Sequence, residues 1–102
     1  GENISAKEIE DVLHGHPQVR EAAVVAMPHA RLGEGVCAYI LTEGASPSAQ
    51  DLAAHVAASG LAKQKIPERF EFREDFPRTA SGKVRKDRLR ADVKALVEAA
   101  EA

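Results

Sequence analysis

The sequence predicts an α+β domain, a compact three-stranded sheet flanked by helices, with elements in the order α-β-β-α-β-α. Three observations predict it. Apolar residues recur at helical spacing at both ends of the chain, as Ile9, Val12 and Leu13 and again as Leu89, Val93, Leu96 and Val97. Two continuous apolar runs, Ala22 to Met27 and Val36 to Leu41, read as strands, the first of them buried on both faces. Between Glu68 and Arg73 apolar and charged residues alternate, which marks a half-buried strand. At 102 residues the chain is one domain, large enough for a single core.

The first helix is predicted from about Ala6 to His14. Ser5-x-x-Glu8 forms a capping box, Ile4 can staple onto Ile9, and Gly15 followed by Pro17 stops the helix. His14 and His16 flank that stop without a cysteine or carboxylate at ligand spacing, so they read as a helix terminus and not a metal pair. A cation at a helix C-terminus is reason enough for His14. The first strand is expected from Val19 to Met27, ended by Pro28, and the link from His29 to Glu34 turns the chain into a second strand from Gly35 to Thr42. Cys37 within it reads as a small buried apolar residue. Ser46 and Pro47 are expected at the N-cap and first position of the next helix. That helix buries Leu52 and Val56, offers Ala49, Ala53 and Ala57 as a thin packing face, and closes at Gly60. Pro67 forces Ile66 out of helical geometry ahead of the third strand. Phe70 and Phe72 on one side of that strand are assigned to the core. An amphipathic helix from about Lys86 to Ala99 then docks.

Composition sets limits on function. A net charge of -2 argues against a dedicated nucleic-acid binder. No apolar run approaches the ~18 residues needed to span a bilayer, and no signal-peptide pattern opens the chain. The single cysteine cannot close an internal disulfide, which fits a reducing cytoplasm. The chain opens abruptly on Gly1, and a piece of a longer protein is the expectation.

Chemistry concentrates in Pro77-Arg78-Thr79-Ala80-Ser81-Gly82-Lys83. Ala80, Ser81 and Gly82 are small, turn-favouring residues, and Gly82 can take a positive φ that a side chain would resist. Lys83 then stands at the tip of a turn between a strand and a helix. Its ammonium is a mobile point charge suited to carboxylate or phosphate oxygens.

Other short motifs accompany this turn in one order: Gly1-Glu2-Asn3-Ile4-Ser5 with Glu8-Ile9-Glu10, His16-Pro17-Gln18-Val19 leading into Glu21-Ala22-Ala23-Val24-Val25, Gly33-Glu34, Lys65-Ile66-Pro67, and Leu89-Arg90. The series resembles the C-terminal domain of the acyl-adenylate-forming enzymes, the superfamily of acyl-CoA synthetases, aryl acid-AMP ligases, nonribosomal peptide adenylation domains and luciferases. It covers nearly the whole chain and departs at His29, where many members have aspartate.

The resemblance implies that Lys83 is the catalytic lysine of adenylation, presented by Ser81 and Gly82. It implies that Gly1, Glu2 and Asn3 line the route of the attacking thiol, and that ATP and coenzyme A are the co-substrates. Magnesium is expected in an N-terminal adenylation domain that also binds a small carboxylic acid. The implied mechanism is a two-position lid, with the hinge upstream of Gly1, and the isolated domain is expected to be inactive. Acetylation of the lysine, which would erase its charge, is a further implication. Within the family the opening motif looks like the acyl-CoA ligases, with an aryl acid-AMP ligase that loads a carrier protein as the alternative. Outside it, Lys83, Arg85, Lys86, Arg88 and Arg90 could form the basic face of a small nucleic-acid-binding or regulatory module. No aromatic residue interleaves with these cations and Asp87 interrupts them.

Overall fold

The computed structural model describes residues 6–29 and 33–101. In chain order the elements are α1 (Ala6–His14), β1 (Val19–His29), β2 (Gly33–Thr42), α2 (Ala49–Ala58), a 3-10 turn (Lys63–Lys65), β3 (Arg69–Phe72) and α3 (Lys86–Glu101). The sheet has the order β1-β2-β3, with β1 and β2 antiparallel and β2 and β3 parallel. The predicted α-β-β-α-β-α order and three-stranded sheet are therefore present. No helix among the described residues is long and apolar enough to cross a membrane.

The continuous apolar runs in β1 and β2 face two separate cores. Ala22, Val24, Val36, Ala38 and Ile40 pack on one face with Ile9 and Leu13 of α1 and Leu52 and Val56 of α2. Ala23, Val25, Met27, Cys37, Tyr39 and Leu41 pack on the other with Phe76 and with Leu89 and Val93 of α3. Alternate residues of a strand point to opposite faces, so a strand buried on both sides must be apolar at nearly every position. Burying each Leu or Ile side chain contributes about 1.5–3 kcal/mol.

Five expectations are corrected. Pro28 does not end β1 but pairs with Glu34 inside it. It shares its alternation with Ala22 and Val24, whose N–H groups bond side chains of α1 and not β2. On an edge strand a proline whose nitrogen faces outward breaks no ladder hydrogen bond.

The N-cap of α2 is Ser48, not Ser46. Ser48 Oγ accepts from the Asp51 N–H at 3.0 Å and the Ser48 N–H donates to Asp51 Oδ2 at 3.2 Å, a reciprocal capping box. Pro47 lies buried before the cap, and Gly60, at φ +90, takes the left-handed conformation just past the C-cap Ser59. On α2, Ala53 is half-buried while Ala49 and Ala57 are exposed, so the alanine face is narrower than expected.

Phe70 is half-buried and packs against the first core as expected, but Phe72 is 41% exposed, and Phe76, beyond the strand, is the phenylalanine buried in the second core. The strand lies at the sheet edge, where a side chain is covered by neighbours on fewer sides. His14, finally, does not need to be a cation. Its Nε2 accepts the Ala22 N–H at 3.0 Å, which only the neutral ring can do. His16 Nδ1 likewise accepts from the Gln18 N–H at 3.1 Å. The capping box at Ser5 and the Ile4 staple lie outside the described residues.

Candidate functional site

Residues 77–85 fold into a small hairpin between β3 and α3. Arg78 and Val84 form an antiparallel bridge. Its frame is closed by Thr79 N–H to the Lys83 carbonyl at 2.8 Å, Gly82 N–H to the Thr79 carbonyl at 2.9 Å and Arg85 N–H to the Pro77 carbonyl at 2.7 Å. Thr79 Oγ1 also accepts from the Lys83 N–H at 3.1 Å and lies 3.0 Å from Ser81 Oγ. A turn this tight needs one residue at positive φ, and Gly82 supplies it at φ +94. A Cβ there would meet nothing within 4 Å, so glycine is required by the backbone and not by space.

Lys83 projects from this frame as an exposed residue, and among the described residues no hydrogen bond or ion pair engages its ammonium. The structure thus brings together three predicted site residues, Lys83, Ser81 and Gly82. Gly1, Glu2 and Asn3 lie outside the described residues.

The neighbouring cations are engaged. Arg78 Nη2 reaches Glu21 Oε1 on β1 at 2.7 Å and Asp75 Oδ1 at 3.2 Å, while Nη1 reaches the Gly82 carbonyl at 3.4 Å. Its guanidinium also lies over the Phe76 ring, 5.8 Å from the centroid. The hydrogen bond to Glu21, aided by Asp75, holds the guanidinium even more firmly protonated than usual. Asp75 is held below the ordinary carboxylate range by the Phe76 N–H first and by Arg78 second.

Arg85 pairs with Asp87 at 2.6 Å, which raises the arginine and lowers the aspartate. Lys86 pairs with Glu10 of α1 at 2.6 Å. The same Glu10 oxygen accepts the Val24 N–H at 2.8 Å, tying α1, the β1 edge and the start of α3 together. The run of cations after Gly82 is therefore not one open basic face, since Arg85 and Lys86 each hold a carboxylate.

Sequence reasoning quoted Arg78, Thr79, Glu21 and Glu10 within motifs but gave them no contact of their own, and it did not single out Asp75. The spacing of Asp75 and Arg78 was the available signal for one pair, but Glu21 lies 57 residues from Arg78 and gave none. Among the described residues no group of three or more His, Cys, Asp or Glu could hold a metal ion.

Comparison with known proteins shows the family and the fold. The family model described as AMP-binding enzyme C-terminal domain matches residues 8–83, from within α1 to the hairpin lysine. The chain is 47% identical over 90 residues to the 2,3-dihydroxybenzoate-AMP ligase of Bacillus subtilis, covering 88% of this chain and 17% of that protein. It is 44% identical over 95 residues to the medium-chain fatty-acid–CoA ligase of Escherichia coli, covering 91% of this chain and 17% of the ligase. The crystal structure of ATP-bound MatB from Rhodopseudomonas palustris superposes with a TM-score of 0.85 at 38% identity, covering 94% of this chain and 19% of that one. The chain thus spans less than a fifth of the length of these relatives, and it belongs to the AMP-binding enzyme C-terminal domain family.

Proposed function

We propose that residues 1–102 are the C-terminal lid domain of a larger AMP-forming acid–thiol ligase and that Lys83 is its adenylation lysine. The observation that carries this reading is the exposed, unpartnered Lys83 ammonium at the tip of a hairpin whose other cations are held by carboxylates. The substrates are a small carboxylic acid, ATP and a thiol, with coenzyme A as the acceptor. Magnesium and the acid belong to an N-terminal adenylation domain that is this chain's partner.

In the first half-reaction a carboxylate oxygen attacks the α-phosphorus of ATP, an acyl–O–P bond forms, and the bond to pyrophosphate breaks. Two anions must approach while negative charge moves onto the leaving group. A lysine brought between them offsets their repulsion and holds the in-line geometry without transferring a proton. An ammonium that has no internal partner gives up no ion pair when it moves to the phosphate. In the second half-reaction the domain rotates, Lys83 withdraws, and the Gly1, Glu2 and Asn3 loop lines the path of the thiol to the acyl-adenylate.

The acceptor and acid class follow the same logic at lower resolution. The Gly1-Glu2-Asn3-Ile4-Ser5 opening favours an acyl-CoA ligase. The similarity to the Bacillus subtilis ligase favours the second reading, an aryl acid-AMP ligase that loads a carrier protein. Supplying coenzyme A and a holo carrier protein in turn to the full-length enzyme separates the two.

The test of the lysine is Lys83→Ala in the full-length enzyme. Acid-dependent pyrophosphate release is measured separately from thioester formation on supplied acyl-adenylate. Removing one well-placed electrostatic donor costs ~3–4 kcal/mol, or ~100- to 1000-fold in rate, so the first reaction should fall by that much while the second survives. Both reactions running at the unmutated rate would overturn the assignment.

A further inference from the structure

We propose that Arg78 is a positioning residue for the adenylation lysine, acting from β1 through the hairpin frame; this rests on the reading of Lys83 given above. Four observations carry it. Arg78 lies in the antiparallel bridge directly opposite Val84, the residue after Lys83. Its guanidinium holds Glu21 Oε1 at 2.7 Å, and Glu21 belongs to the strand that pairs with β2 across the sheet centre. The same group reaches Asp75 at 3.2 Å on the approach to the hairpin and the Gly82 carbonyl at 3.4 Å at its tip. The guanidinium also lies over Phe76, which is 5% exposed and part of the α3-side core.

One side chain thus links four things: the core through Phe76, the sheet through Glu21, the base of the hairpin through Asp75, and the peptide joining Gly82 to Lys83. Backbone hydrogen bonds, with that of the Lys83 N–H to Thr79 Oγ1, define the shape of the hairpin. They do not define its tilt relative to the sheet, because those of residues 78–83 stay within the hairpin and those of Val84 and Arg85 that leave it run into the start of α3, to the N–H groups of Lys86, Arg88 and Leu89. The tilt is set by the contacts that leave the hairpin. Arg78 supplies that contact on one leg and Lys86, just beyond the other leg, supplies it through Glu10. A planar guanidinium serves such a junction better than an ammonium, since its donors are fixed in a fork and can meet several acceptors at once.

Arg78 is not itself a ligand group in this arrangement. Two carboxylates and a carbonyl already accept from it, so an incoming phosphate would have to displace them. It acts on the reaction by where it leaves Lys83. Lysine at this position keeps a charge but loses the fork, and Glu21→Gln weakens the same tether from the other end.

The experiment uses the full-length enzyme with Arg78→Ala, Arg78→Lys, Glu21→Gln, Lys83→Ala and the Arg78→Ala/Lys83→Ala double variant. Both half-reactions are followed, with thermal unfolding as the check on folding. Misplacement of a reacting group by ~1 Å can cost ~100-fold, so Arg78→Ala should lower kcat for pyrophosphate release by ~10- to 100-fold. KM for ATP and acid should hold, as should the rate of thioester formation from supplied acyl-adenylate. Glu21→Gln should reproduce the effect in smaller measure, and Arg78→Lys should not restore it. The double variant should be no slower than Lys83→Ala alone.

A raised KM with kcat intact would make Arg78 a substrate contact, and a multiplicative loss in the double variant would make it independent of Lys83; either result overturns the proposal. Unchanged adenylation in both Arg78→Ala and Glu21→Gln, with Lys83→Ala inactive, overturns the proposal while leaving the lysine assignment standing. If Arg78→Ala does not fold, Glu21→Gln alone decides, since it removes one charge from a partly exposed pair. An unaffected Lys83→Ala enzyme would instead remove the reading on which the proposal rests.

Discussion

Gly82 sits at φ +94 with open space where a side chain would go, and those two facts separate strain from crowding. Gly82→Ala should therefore lower stability by about 1–2 kcal/mol through backbone strain alone. Thermal unfolding measures that cost, and under the role proposed for Lys83 the strained turn should also slow adenylation in the full-length protein by displacing the lysine. Tyr39 behaves differently. It is fully buried, and its hydroxyl donates to the Leu89 carbonyl at 3.1 Å, joining β2 to α3. Tyr39→Phe leaves the ring in place and should cost about 1 kcal/mol, read from a urea midpoint. Gly82 and Lys83 were legible because a turn is written in adjacent residues. Tyr39 and Arg78 were not, since their partners lie 50 and 57 residues away and one sequence carries no record of such pairing.

The open edge of β1 shows how an element is completed by a neighbour that is not a strand. Outward N–H groups at Ala22 and Val24 are taken by His14 and Glu10 of α1, so the helix supplies acceptors that another strand would otherwise offer. An unpaired edge invites association with another chain, and covering it is one way proteins prevent this. Glu10→Ala should leave the Val24 N–H without its acceptor and Lys86 without its partner. The expected cost is about 1–3 kcal/mol, and amide hydrogen exchange at Val24 should accelerate while that at Val25, paired within the sheet, changes less. Local signals were sufficient for α1 and close for α3, whose periodic stripe runs the length of the helix. They misled at Pro28 and Phe72, where the meaning of a residue depends on whether its strand is at the edge. At the start of α2 the sequence offered two serines, and the Ser48-x-x-Asp51 spacing was the better signal.

At the scale of the molecule, β2 separates two cores and buries two ionisable groups, Cys37 and Tyr39, in the one that α3 covers. Desolvation, with a smaller contribution from Glu71, pushes the Cys37 thiol from 9.0 up to about 12. Burial first, and the Cys37 charge next, push Tyr39 from 10.0 up to about 12. Both groups bind their protons more tightly in the folded chain than in the unfolded one. The stability they support is fully present below about pH 9 and is lost as pH rises toward about 12. A urea midpoint that holds through neutral pH and falls steeply above pH 9 is the expected outcome, with a shallower fall in Cys37→Ala. The parallel pairing of β2 with β3 has another consequence, one of sequence in time. β1 and β2 meet through a short connection, whereas β3 can join only after the whole of α2 and the 3-10 turn have been drawn back across the sheet. Loop closure must precede those contacts, so substitutions in β1 and β2 should slow folding while those in β3 mainly hasten unfolding. The hairpin that carries Lys83 follows the last strand to arrive, so the exposed ammonium should be set in its place only when assembly of the sheet is complete.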